Sequence, residues 1–283
     1  MDNITIVTAF FDIGRGNIST DNYPAYLNRN TDTYFEYFSN LAQLENEMIV
    51  FTSQEYKQKI LDIRKNKPTT VVEFDFKHRF QSMRTAISKI QNNPDFISRI
   101  NPQQRNNIEY WSADYVMINN MKTFFVNQAI CKNLVSNDQV AWVDFGYVRD
   151  KEILNNVKFW KYQFDKEKVN LFSINKHMQT IDTFQQVTDF IFNNQVFIIG
   201  GCIVATKKKW REFIQVLSFC QKYLIKKNII DDDQGLYVMC LYQKPELFKI
   251  NYLGKKQWFA LFRKYDKTSK ISLIEKIKDY FGW

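Results

Sequence analysis

The strongest constraint on the fold of this chain is a series of short, unbroken apolar runs separated by segments with helical spacing. The first is Ile4-Thr5-Ile6-Val7-Thr8-Ala9-Phe10, which begins almost at the N-terminus. Others fall within residues 46–52, 70–76, 139–145 and 197–205. Runs of four to eight apolar residues without polar alternation suit strands buried on both faces of a sheet. Helices are expected over 31–44, 54–65, 115–134 and 207–227, with another starting within 231–242. In the first of these, Tyr34, Phe35, Phe38 and Leu41 recur at helical spacing. Residues 79–107 read as polar, helical and punctuated by proline, and 159–174 as edge strands. Strands that alternate with helices give an α/β fold with a mixed, mostly parallel central sheet flanked by helices. No internal repeat or linker breaks the pattern, so residues 1–283 are read as a single domain.

Composition narrows the chemistry. The four cysteines, Cys131, Cys202, Cys220 and Cys240, form no CxxC pair, which argues against a zinc site of the usual spacing. Three lie in apolar runs and read as small buried hydrophobes, in keeping with a reducing compartment. The N-terminus lacks a basic region followed by a long apolar stretch, so a cytoplasmic location is expected. The net charge of +9 is compatible with nucleic acid, an anionic membrane or an acidic small molecule, and equally with plain lysine richness. The two histidines, His78 and His177, are solitary, which excludes HExxH. The chain also lacks a P-loop, a GxGxxG fingerprint and a GxSxG elbow.

Four places carry candidate chemistry, each after an apolar strand or before a helix, where ligands gather in open α/β sheets. The loop after the first strand, Phe11-Asp12-Ile13-Gly14-Arg15, could seat a nucleotide, with Arg15 offering its planar fork of donors to a pyrophosphate. Asp144 closes the run Val140-Ala141-Trp142-Val143 and could hold a hard divalent cation. Gly200 and Gly201, paired inside a strand, allow a ligand or another backbone to approach closely, or mark a bulge. Asp231-Asp232-Asp233 precede an apolar helical run. Three acids exceed what one helix cap needs and suit a cation, a basic neighbour or a substrate hydroxyl.

The segments ITIVTAFFDIGRG, AWVDFGY and DDDQGLY, in this order and spacing, resemble the HtrL/YibB family, also called the WlaTC/HtrL glycosyltransferases. The resemblance runs from about residue 4 to about residue 262. It implies a GT-A type fold with a Rossmann-like nucleotide-binding half. It also implies transfer of a sugar from a nucleotide-sugar, a UDP-sugar by expectation, to a glycan or lipid-linked glycan of the bacterial surface, such as lipopolysaccharide or lipooligosaccharide. Asp144 then takes the place of the D-x-D motif that holds Mn2+ or Mg2+, although Gly146 stands where the second acid belongs. Asp232 or Asp233, with Gln234, resembles the acid-Gln segment near the reacting sugar, and Gly200-Gly201 the acceptor-side strand.

In the terms of such a transfer, Thr8, Ala9, Phe10, Asp12 and Thr52 are expected around the nucleotide. The metal on Asp144 and the guanidinium of Arg15 or Arg84 would neutralise the diphosphate. Asp233 or Asp232 would act as base if the reaction inverts, or would stabilise the oxocarbenium-like centre if it retains. The basic aromatic segment 248–283 is read as packing its aromatics on the core, with peripheral contact to the inner membrane as the alternative use. Two other readings compete: a basic nucleic-acid-binding module, and a transferase fold that has lost its chemistry at Gly146. The acidic triplet speaks against the first, because it would repel a phosphate backbone.

Overall fold

A computed structural model describes residues 3–176 and 180–267 of the chain. In chain order the strands are β1 (Ile4–Phe10), β2 (Met48–Thr52), β3 (Thr69–Glu73), β4 (Gln139–Val143), β5 (Val169–Ser173), β6 (Ile199–Thr206) and β7 (Phe248–Tyr252). The helices are α1 (Thr31–Leu41), α2 (Lys57–Ile63), α3 (Gln81–Gln91), α4 (Pro94–Arg99), α5 (Ala113–Asn120), α6 (Lys122–Cys131), α7 (Phe184–Phe192), α8 (Lys207–Lys226), α9 (Asp233–Gln243) and α10 (Leu261–Lys264).

All seven strands share one sheet in the order β3-β2-β1-β4-β6-β5-β7. β1 pairs in parallel with β2 and β4, β2 with β3, and β5 with β7. β6 runs antiparallel to both neighbours, β4 and β5. The sheet is therefore mostly parallel, with one reversed strand. Its first four strands have the 3-2-1-4 order of a Rossmann-like half. The winding changes direction between β1 and β4, and that is where a crevice opens at the strand ends.

Side chains alternate across the sheet and feed two cores. In β4, Val140 and Trp142 enter a layer with residues of α5, α6, α8 and α9. Ala141 and Val143 enter the opposite layer with Phe35, Phe38 and Leu41 of α1. Every residue of β2, β4 and β5 is buried, the burial expected of interior strands.

Two expectations change. Residues 115–134 form two helices, α5 and α6, that meet at Met121, whose amide bonds back to the carbonyls of Met117 and Ile118. The apolar pattern continues across this junction, so spacing alone does not reveal it. The segment 159–174 yields no pair of edge strands: Lys161 makes only an isolated bridge to Asn3, while β5 lies inside the sheet between β6 and β7. The C-terminal segment contributes β7 and α10, and Phe262 is fully buried against Trp160, with ring centroids 5.1 Å apart. Residues 268–283 of that segment, and His177, lie outside the described residues.

Arg64 ties the β2 end of the sheet together. It is 1% exposed and donates to the carbonyls of Ala42, Leu44, Asn46 and Pro68 and to Thr69 Oγ1. Burial pushes its pKa down to about 10. Its hydrogen bonds offset that cost by satisfying carbonyls in the turns that flank β2. Arg64→Met is expected to leave those carbonyls unsatisfied and to lower stability by about 3 kcal/mol. Urea unfolding checks this: the midpoint should fall while the slope is unchanged.

Candidate functional site

The crevice at the switch point is a cavity of about 410 Å³. The C-terminal end of β1 and its loop supply Ala9, Phe10, Phe11, Asp12, Ile13 and Arg15. The end of β4 supplies Trp142, Asp144, Phe145 and Gly146. Gly200 and Gly201 come from the start of β6, and Asp232, Asp233 and Gln234 from the start of α9. Residues far apart in sequence thus meet at one end of the sheet. Because β6 is reversed, its first residues, not its last, lie beside the end of β4: the Asp144 amide donates to the Gly201 carbonyl at 2.9 Å.

At the centre lies Lys122, the first residue of α6 and 4% exposed. An ammonium has three donors. Lys122 directs its donors to Asp144, to the Gly200 carbonyl at 3.0 Å and to Asp233 Oδ2. Burial alone would lower its pKa, but the charges of Asp144 and Asp233 and their hydrogen bonds raise it instead. Asp144 takes Lys122 at 2.9 Å on Oδ1 and 3.2 Å on Oδ2, and Trp142 Nε1 donates to Oδ1 at 2.7 Å. About a third of its side chain (37%) stays exposed to the cavity. Asp233 is only 3% exposed. Burial raises its pKa, Lys122 pulls it back, and Asp144 pushes it up again.

Close packing at this point depends on glycine. A Cβ on Gly200 would stand 1.7 Å from Asp233 Oδ2, inside the atoms of the carboxylate. A Cβ on Gly235 would stand 2.1 Å from Asp231 Oδ2, which accepts instead from the Gly235 amide at 2.9 Å. Asp232 caps α9, its Oδ1 accepting from the Gln234 amide at 2.9 Å. Burial raises the pKa of Asp231 and Asp232 well above the ordinary range, and each is raised further by the next acid in the triplet and by Glu109.

The remaining expected residues separate into two groups. Arg15 lines the cavity, but its guanidinium is largely committed: Nε and Nη2 donate to the Leu27 carbonyl at 3.1 and 3.0 Å, and Nη1 to Tyr34 Oη at 2.7 Å. Asp12 organises its own loop through the Gly14 amide and Thr31 Oγ1. Thr8, Thr52 and Arg84 do not line the cavity. Thr8 is fully buried within β1, and Thr52 Oγ1 donates to the Phe10 carbonyl at 2.9 Å. Arg84 belongs to α3, where it pairs with Asp114 and donates to the Phe76 and Arg79 carbonyls, so its guanidinium braces helices.

Three cations in the cavity lining are absent from the sequence expectations: Lys122, Arg29 and Arg149. Lys122 had a signal, as a lone charge in the apolar stretch Met121 to Val126. Arg29 and Arg149 sit in loops without a motif. The side chains around Asp144 do not fit the Mn2+ or Mg2+ that the resemblance implies. Both oxygens of Asp144 are engaged by Lys122 and Trp142, and an ammonium already stands between Asp144 and Asp233. Among the described residues, no group of three or more His, Cys, Asp or Glu side chains converges as a metal site. A Cβ at Gly146 would meet the Tyr34 ring at 3.2 and 3.3 Å, so a second acid there would crowd Tyr34.

Comparison with known proteins identifies the family of this chain. A family model described as "Bacterial protein of unknown function (HtrL_YibB)" matches residues 2–267. The chain belongs to that family. It is 47% identical over 260 residues to "Protein HtrL" of Escherichia coli (strain K12), covering 92% of this chain and 91% of the relative.

Two expected outcomes follow from the buried charges. Lys122→Met leaves Asp144 and Asp233 facing each other without a cation. It should lower stability at pH 7 by about 3–5 kcal/mol, with partial recovery in acid, as read by urea unfolding. The second concerns Glu109, whose Oε1 is buried without a partner and whose pKa burial raises from 4.5 to about 7. The folded state keeps that proton after the unfolded chain has lost it. The resulting stability is present in full below pH 4.5 and is lost as pH rises through 7. Glu109→Gln should therefore shrink the fall in stability between pH 4.5 and 7 by about 3 kcal/mol in a pH series of thermal unfolding.

Proposed function

We propose that this chain is a glycosyltransferase of GT-A type that takes a sugar from a nucleotide-sugar and passes it to a glycan hydroxyl. The observation that carries the reading is the convergence of the β1 loop, Asp144 and the Asp232–Asp233 pair on one cavity at the switch point of a Rossmann-like half-sheet. An open α/β sheet binds nucleotides at that point. The opposing carboxylates give a sugar transfer the charged groups it needs.

In this reading the nucleotide lies on the β1 side, over Ala9, Phe10 and Asp12, and the sugar lies towards α9. Lys122 fixes Asp144 and Asp233 as a preorganised charged group beside the reacting carbon. Asp232 is the base we favour: it lines the cavity, and its Oδ2 has no hydrogen-bond partner among the described residues. The acceptor oxygen forms the bond to the anomeric carbon as the bond to the diphosphate breaks. The acceptor proton passes to Asp232, and the nucleoside diphosphate leaves. The donor we expect is a UDP-sugar, and the acceptor a bacterial surface glycan or its lipid-linked precursor, met at the inner face of the membrane. No described helix is long and apolar enough to cross a membrane.

The test is thermal shift against a panel of nucleotide-sugars, followed by a transfer assay on the donor that binds. Asp232→Asn is expected to cut transfer at least a hundredfold while leaving the donor-induced shift within a degree of the native one. Donor binding without transfer in the native chain would identify a fold that has lost its chemistry. Salt-sensitive binding of DNA or RNA, with no response to any nucleotide-sugar, would replace the transferase reading.

A further inference from the structure

The cavity lining carries four cations, Arg15, Arg29, Lys122 and Arg149, and four carboxylates, Asp12, Asp144, Asp232 and Asp233, but among the described residues only Lys122 is paired with any of these acids. Lys122 is fully committed to Asp144, Asp233 and the Gly200 carbonyl. Arg15 is bonded to Leu27 and Tyr34. Arg29 and Arg149 line the same cavity, and neither has a carboxylate partner among the described residues. Arg149 lies over the Phe259 ring, its guanidinium carbon 4.7 Å from the centroid, so an aromatic face orients it without neutralising it. After burial, the charge of Arg29 is the largest influence pushing the Arg149 pKa down, with Arg15 adding to it. Like charges gathered at a cavity wall repel one another, and a multiply charged anion relieves that repulsion.

We propose that Arg29 and Arg149 form the subsite for the diphosphate of the donor, and that they neutralise it in place of a divalent cation. The inference rests on the transferase reading and deepens it. Its basis is the pairing of the groups that line the cavity. The carboxylate that would hold a metal is bonded to Lys122 and Trp142, and the Tyr34 ring packs tightly against the position of a second acid. Tyr34 is also the residue whose hydroxyl accepts from Arg15. The ring packed against Gly146 thus also holds an arginine at the cavity. The same lining carries two guanidiniums, Arg29 and Arg149, whose planar forks suit phosphate oxygens. As the bond to the sugar breaks, charge grows on the diphosphate, and fixed cations in a cavity stabilise it without reorganising.

Isothermal titration of the full chain with UDP, GDP and inorganic pyrophosphate, in EDTA and again with Mn2+, tests this. UDP or GDP should bind equally well in both conditions, and Arg29→Gln and Arg149→Gln should each weaken binding at least tenfold. Arg211→Gln, an exposed position on α8 outside the cavity, should leave binding within about twofold. Arg149→Lys serves as a second variant that keeps the charge and loses the fork, and an intermediate loss is expected of it. Circular dichroism confirms that the variants are folded. Nucleotide binding that appears only with Mn2+ and ignores both arginine variants would overturn the subsite and leave the transferase reading in place. Pyrophosphate binding that depends on the arginines, with no response to nucleotides, would keep the anion subsite and overturn the nucleotide-sugar reading. Binding of neither would overturn both.

Discussion

Lys122 joins three parts of the chain that would otherwise repel one another. Its ammonium bridges a carboxylate at the end of β4, a carboxylate at the start of α9 and a carbonyl at the start of β6. Two acids at such close quarters repel each other unless a cation stands between them. The position of the lysine depends in turn on the break between α5 and α6, which makes Lys122 the first residue of a new helix. The geometry of the cavity follows: the carboxylates are held, the glycines of β6 are drawn against them, and α9 points its N-terminus at the crevice. An anionic group would meet the positive end of that helix dipole as well as the arginines.

Much of the fold is legible in the sequence, because buried parallel strands have a distinctive composition. β1, β2, β4 and β6 coincide with apolar runs to within a residue or two, since each must bury both faces. What sequence periodicity misses is set by tertiary context. The junction at Met121 interrupts the backbone ladder but not the apolar pattern. The aromatics and charges before β5 suggest an exposed margin, yet the strand is covered by pairing with β6 and β7, which arrive later in the chain. Helix α7 follows a loop of polar residues and begins with a capping box at Thr183 and Gln186, a short signal within an otherwise unremarkable stretch.

The candidate site divides in the same way. Asp144, Asp232, Asp233 and the glycine pair are recognisable because each punctuates the end of an element, where the pattern of apolar residues stops. Thr8 and Thr52 occupy the same kind of position, yet their hydroxyls stay inside the sheet, because a strand's last residues point alternately towards and away from the crevice. Arg84 illustrates the limit for cations: a guanidinium near an expected cleft is as useful for bracing carbonyls as for binding phosphate. Arg29 and Arg149 carry no local motif, and only the folding of two loops brings them to the cavity.

The approach of Asp233 to Gly200 has a historical consequence. Every residue other than glycine carries a Cβ, and at this position that atom would overlap the carboxylate. Gly200 cannot gain a side chain while Asp233 keeps its place. A heavier residue in β6 would evict the acid from α9, and a longer acid in α9 would need still more room than the bare backbone gives. The two positions, 33 residues apart in the chain, form one unit of inheritance, and across descendants of a common ancestor they should be retained together or exchanged together.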